Sequence, residues 1–276
     1  MPQQPILVLG ATGKTGRRIV ERLSAKGHAV RRGSRQSDPP FDWEKPETWS
    51  EALRGVEAVY ISFFPDLAVP GAAAAIEELT SRAVDAGVQR LVLLSGRGEE
   101  EAQRCENIVR ECGVSFTLIR ASWFSQNFSE SFLLDAVQSG TVALPVKDVG
   151  EPFVDVEDIA DVAVAALTED GHEGRLYEVT GPRLLTFEDA VRAVAQAADQ
   201  SVQFVRITPE QYEEGLAQSG LPKEFASLVM YLFTTVLDGR NAQLADGVQQ
   251  ALGRKPRDFA DYARETAAAG VWEARA

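Results

Sequence analysis

The chain has 276 residues, 45% of them hydrophobic, and carries 28 Lys+Arg against 41 Asp+Glu, a formal net charge of −13. That length fits one large α/β domain or a nucleotide domain with a small second lobe. The negative charge disfavours a nucleic-acid backbone or an anionic membrane surface, so the expected partner is a small molecule met by a local basic pocket.

Strand-length apolar runs alternate with helical periodicity, the pattern of a parallel sheet covered on both faces. Residues 5–9 read as the first strand, 15–26 as a helix and 28–32 as a second strand. A short helix over 48–53 precedes a strand at 56–63, and the alanine-rich helix 71–86 ends at Gly87. The strand 90–95, the helix 99–112 closed by Gly113 and the strand 115–120 complete a doubly wound array. Beyond it, 122–134 is aromatic and polar, 142–146 reads as a strand and 155–167 as a helix returning to the core. Another strand, 174–179, leads to a helix over 186–198, with Thr186 as N-cap and Asp189 three residues on. From 209 to 236 the pattern is helical again, interrupted by Gly215, Gly220 and Pro222.

Cys105 and Cys112 fall on one predicted helix, about 10 Å apart along its axis, too far for a disulfide. With His28 and His172 remote in sequence, no metal-ligand cluster is visible. The sequence opens without a charged leader, and no stretch approaches roughly 18 uninterrupted apolar residues, so a soluble, cytoplasmic protein is expected.

The stretch VLGATGKTGR, residues 8–17, invites two readings. An ATP-binding P-loop needs a glycine five residues before Gly13, where this chain has Val8 inside the strand. A dinucleotide turn instead uses Gly10 to end the strand, Gly13 to admit a pyrophosphate and Gly16 to let the helix pack closely. Thr12, Lys14 and Thr15 belong to the same turn. The second strand ends in Arg31-Arg32-Gly33-Ser34-Arg35, with no carboxylate before Asp38. Ser34 and Arg35 therefore fit a 2′-phosphate, and NADP(H) is expected over NAD(H).

The motifs Gly10–Gly16, Leu94-Ser95-Gly96, FTLIRASWFSQNF (116–128) and PFVDVEDIADVAVAAL (152–167) resemble those of the NmrA-like, atypical short-chain dehydrogenase/reductase superfamily. FDWEKPETW (41–49) resembles the subgroup of NAD(P)H-binding proteins related to ergot-alkaloid-type reductases. The resemblance implies a Rossmann-like core over 1–120, with 121–276 returning strands and helices to it and forming a smaller, mostly helical substrate lobe. It implies an adenine near Asp42 and Trp43, and a nicotinamide pocket lined by Phe63, Phe64, Ser95 and Trp123.

In the larger superfamily a tyrosine, acidified by a lysine four residues later, protonates the alkoxide. Here the residues four past the five tyrosines are Phe64, Gly181, Leu216, Thr235 and Thr266, so that pair is missing. Ser95 remains as a candidate catalytic residue or as a simple strand end. Arg97 is read either as a receptor for an anionic substrate group or as an exposed ion-pair partner, and Glu99, Glu100 and Glu101 as favouring a helix N-terminus. Trp123, Phe124, Asn127 and Tyr231 are candidate substrate-pocket residues or lobe core. Without the acid pair, hydride transfer suits a quinone, an enone or a cyclic iminium better than a simple ketone. The alternative is a non-catalytic redox sensor binding a partner protein, a role the resembled family includes.

Overall fold

The computed structural model describes residues 4–273. Along the chain the elements run β1 (Ile6–Leu9), α1 (Lys14–Ala25), β2 (Val30–Gly33), α2 (Trp49–Leu53), β3 (Ala58–Ile61), α3 (Ala72–Asp85), β4 (Arg90–Gly96), α4 (Glu100–Glu111) and β5 (Ser115–Ala121). They continue with α5 (Asn127–Glu130), α6 (Leu134–Gln138), β6 (Thr141–Leu144), α7 (Val156–Thr168), β7 (Arg175–Val179) and α8 (Phe187–Ala198). The last are β8 (Gln203–Arg206), α9 (Pro209–Gln218), α10 (Lys223–Tyr231), α11 (Gly247–Leu252) and α12 (Phe259–Ala268).

The chain divides into two units, the first built from residues up to 121, 157–179 and 246–254, the second from 122–156, 180–245 and 255 onward. The first unit holds an all-parallel six-stranded sheet in the order β2-β1-β3-β4-β5-β7. Its central strands β1 and β3 and most of β4 are continuous apolar runs because both faces are covered. Leu7, Leu9, Val59, Ile61, Leu91, Leu93 and Leu118 pack on one face with residues of α2, α3 and α4. On the other face Tyr60 reaches α1, where its hydroxyl donates to Thr15 Oγ1 at 3.0 Å. Strand order turns about β1, so the crevice outside the carboxyl ends of β1 and β3 is the topological switch point at which such sheets bind ligands.

The second unit pairs β6 with β8 in parallel, Thr141 opposite Gln203, beside an aromatic core of Phe128, Phe153, Phe187, Phe233, Phe259, Tyr262 and Trp272. The predicted capping box on α8 is present, with Thr186 Oγ1 accepting from the Asp189 amide and Asp189 accepting from the Thr186 amide. Gly215 does not interrupt its helix, which runs through it to Gln218; the break falls at residues 219–222. Strand β8 and helices α11 and α12 have no clear sequence signature because β8 is a four-residue segment with all but Phe204 exposed, and the two helices lack strong apolar runs. No helix among the described residues is long and apolar enough to cross a membrane.

Candidate functional site

The three glycines of the first turn do different jobs. Gly10 has φ +68°, a left-handed conformation that favours glycine, and it turns the chain out of β1. Gly13 is the N-cap of α1 and supplies no side-chain hydrogen bond, so the first-turn amides stand without a side-chain cap. A Cβ on Gly16 would stand 2.1 Å from the Gly10 carbonyl oxygen, so only glycine lets α1 start this close to the strand end. An uncapped helix N-terminus behind a glycine turn fits a pyrophosphate. Thr12 and Gly13 are exposed and Lys14 half-buried at its rim, whereas the Thr15 hydroxyl is buried and holds Tyr60.

At the end of β2, Arg31 is tied to the backbone carbonyls of Ala52 and Arg54. Arg35 is exposed and makes no ion pair among the described residues, leaving its guanidinium available to a phosphate. Ser34 closes the following loop: its carbonyl accepts from the Phe41 amide at 2.8 Å and its amide donates to Ser37 Oγ at 3.0 Å. The Asp42 carbonyl accepts from Trp49 Nε1, and its carboxylate caps the amide of Glu44. Trp43 Nε1 donates to the carbonyl of Ser62 just past β3, and its ring lies 4.7 Å from that of Phe63. Trp43 and Phe63, expected at the adenine and in the nicotinamide pocket respectively, stand side by side. Phe64, 68% exposed, presents its ring to solvent.

Register across the sheet places Ser95 opposite Arg120, and Arg120 opposite Glu178. This row is completed by Glu106 of α4. The Ser95 hydroxyl donates to Glu106 Oε1 at 2.7 Å, and Arg120 donates to both oxygens of Glu106 and to Glu178 Oε1. The bonds to Glu106, with its charge, and then those to Glu178, strengthen the hold of Arg120 on its proton against the opposing effect of burial. Because the one proton of Ser95 is directed at Glu106, its hydroxyl is oriented as an acceptor toward anything else, and a role as acid is disfavoured. Arg97 is 4% exposed and pairs with Glu178 at 3.4 Å. It is therefore not an exposed ion-pair partner; its charge is drawn into this half-buried row.

Glu99 stands at the N-terminus of α4, as the run of glutamates predicts. It is 6% exposed, unlike a solvated helix-end glutamate, and its carboxyl lies against Gly96. Cys105 and Cys112 are free, and burial pushes the Cys105 thiol up to about 12, so it is a poor nucleophile. His172 is buried with Nδ1 2.9 Å from the Tyr177 hydroxyl, a structural pairing.

The remaining sequence candidates belong to the second unit. Trp123 is half-buried, stacked 4.9 Å from Phe233 and edge-on to Phe187. Phe124 forms a bridge with Val154, Asn127 opens α5 and Tyr231 closes α10; all three are half-buried. In the first unit Asp158, near the start of α7, is buried and paired with Arg254 at 2.7 Å. Glu106 and Glu178 carried no local motif; the sheet register brings Glu178 beside Arg120, and the packing of α4 on the sheet brings Glu106 to Arg120 and Ser95.

The family model described as NAD(P)H-binding matches residues 10–170. The chain is 30% identical to the agroclavine dehydrogenase of Claviceps fusiformis over 97% of its own length and 98% of that protein's. It is also 30% identical to the NAD(P)H azoreductase of Xenophilus azovorans, covering 96% and 98% of the two chains. Among solved structures, an NADPH-dependent quinone oxidoreductase from Escherichia coli complexed with NADPH aligns with a TM-score of 0.76 at 21% identity, covering 94% of this chain and 99% of that one.

Proposed function

Since this chain belongs to the NAD(P)H-binding family, we propose that it is an NADPH-dependent oxidoreductase reducing a small or medium apolar electrophile, a quinone, an enone or a cyclic iminium. The observation that carries the reading is the uncapped start of α1 behind Gly10 and Gly16, with Arg35 free of carboxylates beyond β2. Gly10, Thr12, Gly13, Lys14 and Gly16 would seat the pyrophosphate, and Ser34 and Arg35 the 2′-phosphate. When bound, the nicotinamide supplies the hydride.

The chain's own contribution is to orient and to exclude water. Phe64 offers an apolar face beyond β3, and Ser95 accepts but does not readily donate, since its proton is directed at Glu106. An electrophile that delocalises incoming charge or already carries a positive one suits such a site, because neither needs a strong acid beside the reacting atom. The names of the agroclavine dehydrogenase, the azoreductase and the quinone oxidoreductase support an oxidoreductase reading.

The test follows NADPH oxidation spectroscopically against menadione, a conjugated enone, a cyclic iminium and a simple ketone. Turnover of at least one of the first three and none of the ketone is expected. Tight, redox-selective NADPH binding with no oxidation across the panel would overturn the enzyme in favour of a sensor.

A further inference from the structure

Trp123 differs from the other tryptophans in one respect. The indole N–H groups of Trp43, Trp49 and Trp272 donate to the carbonyls of Ser62, Asp42 and Phe128, at 3.2, 2.7 and 2.8 Å. An indole inside a protein ordinarily does so, because its ring is apolar while its N–H needs an acceptor. The N–H of Trp123 has no acceptor among the described residues, although the side chain is half-buried. Nor is it sealed in: no buried unpaired atom belongs to Trp123, so the N–H keeps contact with solvent.

The ring is nevertheless firmly held. The Trp123 carbonyl accepts from the Val154 amide at 2.9 Å, and the Ser125 amide donates to the Val154 carbonyl at 2.8 Å. The indole is stacked 4.9 Å from Phe233 at 28° and set edge-on to Phe187 at 5.2 Å. Phe233 is buried, on a π-helical turn, Leu232–Val236, that continues α10. The same Phe233 ring receives Tyr212 of α9 edge-on at 5.6 Å. The Tyr212 hydroxyl likewise has no hydrogen-bond partner among the described residues, whereas those of Tyr60, Tyr177 and Tyr262 are bonded to Thr15, His172 and Ser129. Burial alone pushes the Tyr212 phenol up to about 12, so at neutral pH it is an uncharged donor. Trp123, Phe187, Tyr212 and Phe233 all lie in the second unit.

Small-molecule sites combine an apolar, aromatic surface that takes a flat ring with a few polar groups that set its orientation. Here the donors also define the ligand's chemistry. An indole N–H donates and cannot accept, so it calls for an oxygen lone pair. A carbonyl conjugated to a planar ring offers both the lone pair and the flat surface. An iminium nitrogen has no lone pair to receive the N–H. Glu151, whose Oε1 lies 3.5 Å from the Trp123 backbone amide, is 1% exposed and offers a cation no open counter-charge. We propose that Trp123 and Tyr212 are specificity-determining residues for a neutral, planar conjugated carbonyl compound. The Trp123 N–H donates to a carbonyl oxygen, the Tyr212 hydroxyl is a second donor, and the aromatic rings around Phe233 are the surface for the conjugated ring. The inference rests on the oxidoreductase reading above, and it narrows the electrophile to the quinones and conjugated enones.

Equilibrium dialysis of the full chain against menadione and 2-methylnaphthalene tests the donors, since the hydrocarbon keeps the fused ring and lacks both carbonyls. Trp123→Phe retains an aromatic ring against Phe233 and deletes the N–H. It should weaken menadione about five- to tenfold and 2-methylnaphthalene by less than about twofold. Tyr212→Phe, a milder change that deletes only the hydroxyl, should weaken menadione about threefold and spare the hydrocarbon. Circular dichroism and thermal unfolding establish that both variants fold. Equal weakening of the two compounds would make the side chains packing residues only, and no binding of menadione by the wild type would remove the carbonyl site; either result overturns the proposal. So would a cyclic iminium bound as tightly as menadione and weakened equally by Trp123→Phe, the mark of a cation held by the ring face. NADPH oxidation separates this site from the reading beneath it. Turnover of a cyclic iminium without menadione binding sinks the carbonyl site and leaves the oxidoreductase standing. Menadione bound with the selectivity above, but no NADPH oxidised by any electrophile, refutes the oxidoreductase and with it the ligand's role as substrate.

Discussion

Ser95 donates its only proton to Glu106 across 2.7 Å, and Glu106 is gripped in turn by Arg120, the residue beside Ser95 in the sheet. Ser95→Ala removes one charge-assisted hydrogen bond and should lower stability by about 1.5–3 kcal/mol, leaving NADPH affinity unchanged. Glu106→Ala strips Arg120 of its main partner inside the unit and should lose about 3–5 kcal/mol. Urea denaturation and a cofactor titration measure both. If Ser95→Ala weakened the cofactor at wild-type stability, the serine would be a ligand contact and not a brace.

The 2.1 Å approach at Gly16 leaves no room for a methyl group against the Gly10 carbonyl, which is backbone and cannot swing aside. Gly16→Ala should force α1 outward, lose about 1–3 kcal/mol of stability and abolish dinucleotide binding. Fluorescence titration with NADPH, run beside thermal unfolding, separates the two losses. Retained affinity would show that the pyrophosphate does not rest on this turn.

Arg35 is a free cation where many NAD-binding chains carry a carboxylate. Arg35→Ala should remove one or two charge-assisted bonds to the 2′-phosphate, weakening NADPH by about tenfold or more while sparing NADH. Parallel titrations with the two nucleotides decide it, and an equal loss for both would refute the assignment.

Glu157 links α7 to α1 through Arg18 and Arg22, and Arg22 also reaches Asp161. Burial resists its ionisation, but the two guanidiniums prevail and hold the carboxyl below its ordinary value. The unfolded chain therefore binds the proton more readily, so this stability is present above the unfolded carboxyl range and fades as pH falls through the lowered folded value. Urea melts should show Glu157→Gln weaker than wild type at neutral pH, with the gap closing in acid. A gap that stayed constant with pH would mean that packing, not charge, is what the variant loses.

The order of strands and helices through residue 121 was readable because each element is a local apolar run or period bounded by glycine. So were the nucleotide turn and the arginine-rich end of β2, whose chemistry lies within a few dozen consecutive residues. Position along the chain misled at Arg97, which looks solvated before a run of charges but is buried against Glu178. Nor does position along the chain show that the neighbour of Phe63 in space is Trp43, across the loop that follows β2.

The sequence by itself therefore determined a parallel α/β architecture and a dinucleotide turn, both written in short-range spacing. Only the tertiary structure decided what surrounds them: the row Ser95, Arg120 and Glu178 with Glu106 above it. In a parallel sheet, neighbouring strands are joined by crossovers of a dozen or more residues, so adjacent side chains are far apart in the chain. A charge in such a row acquires its partner, and with it its protonation state, only when the register closes.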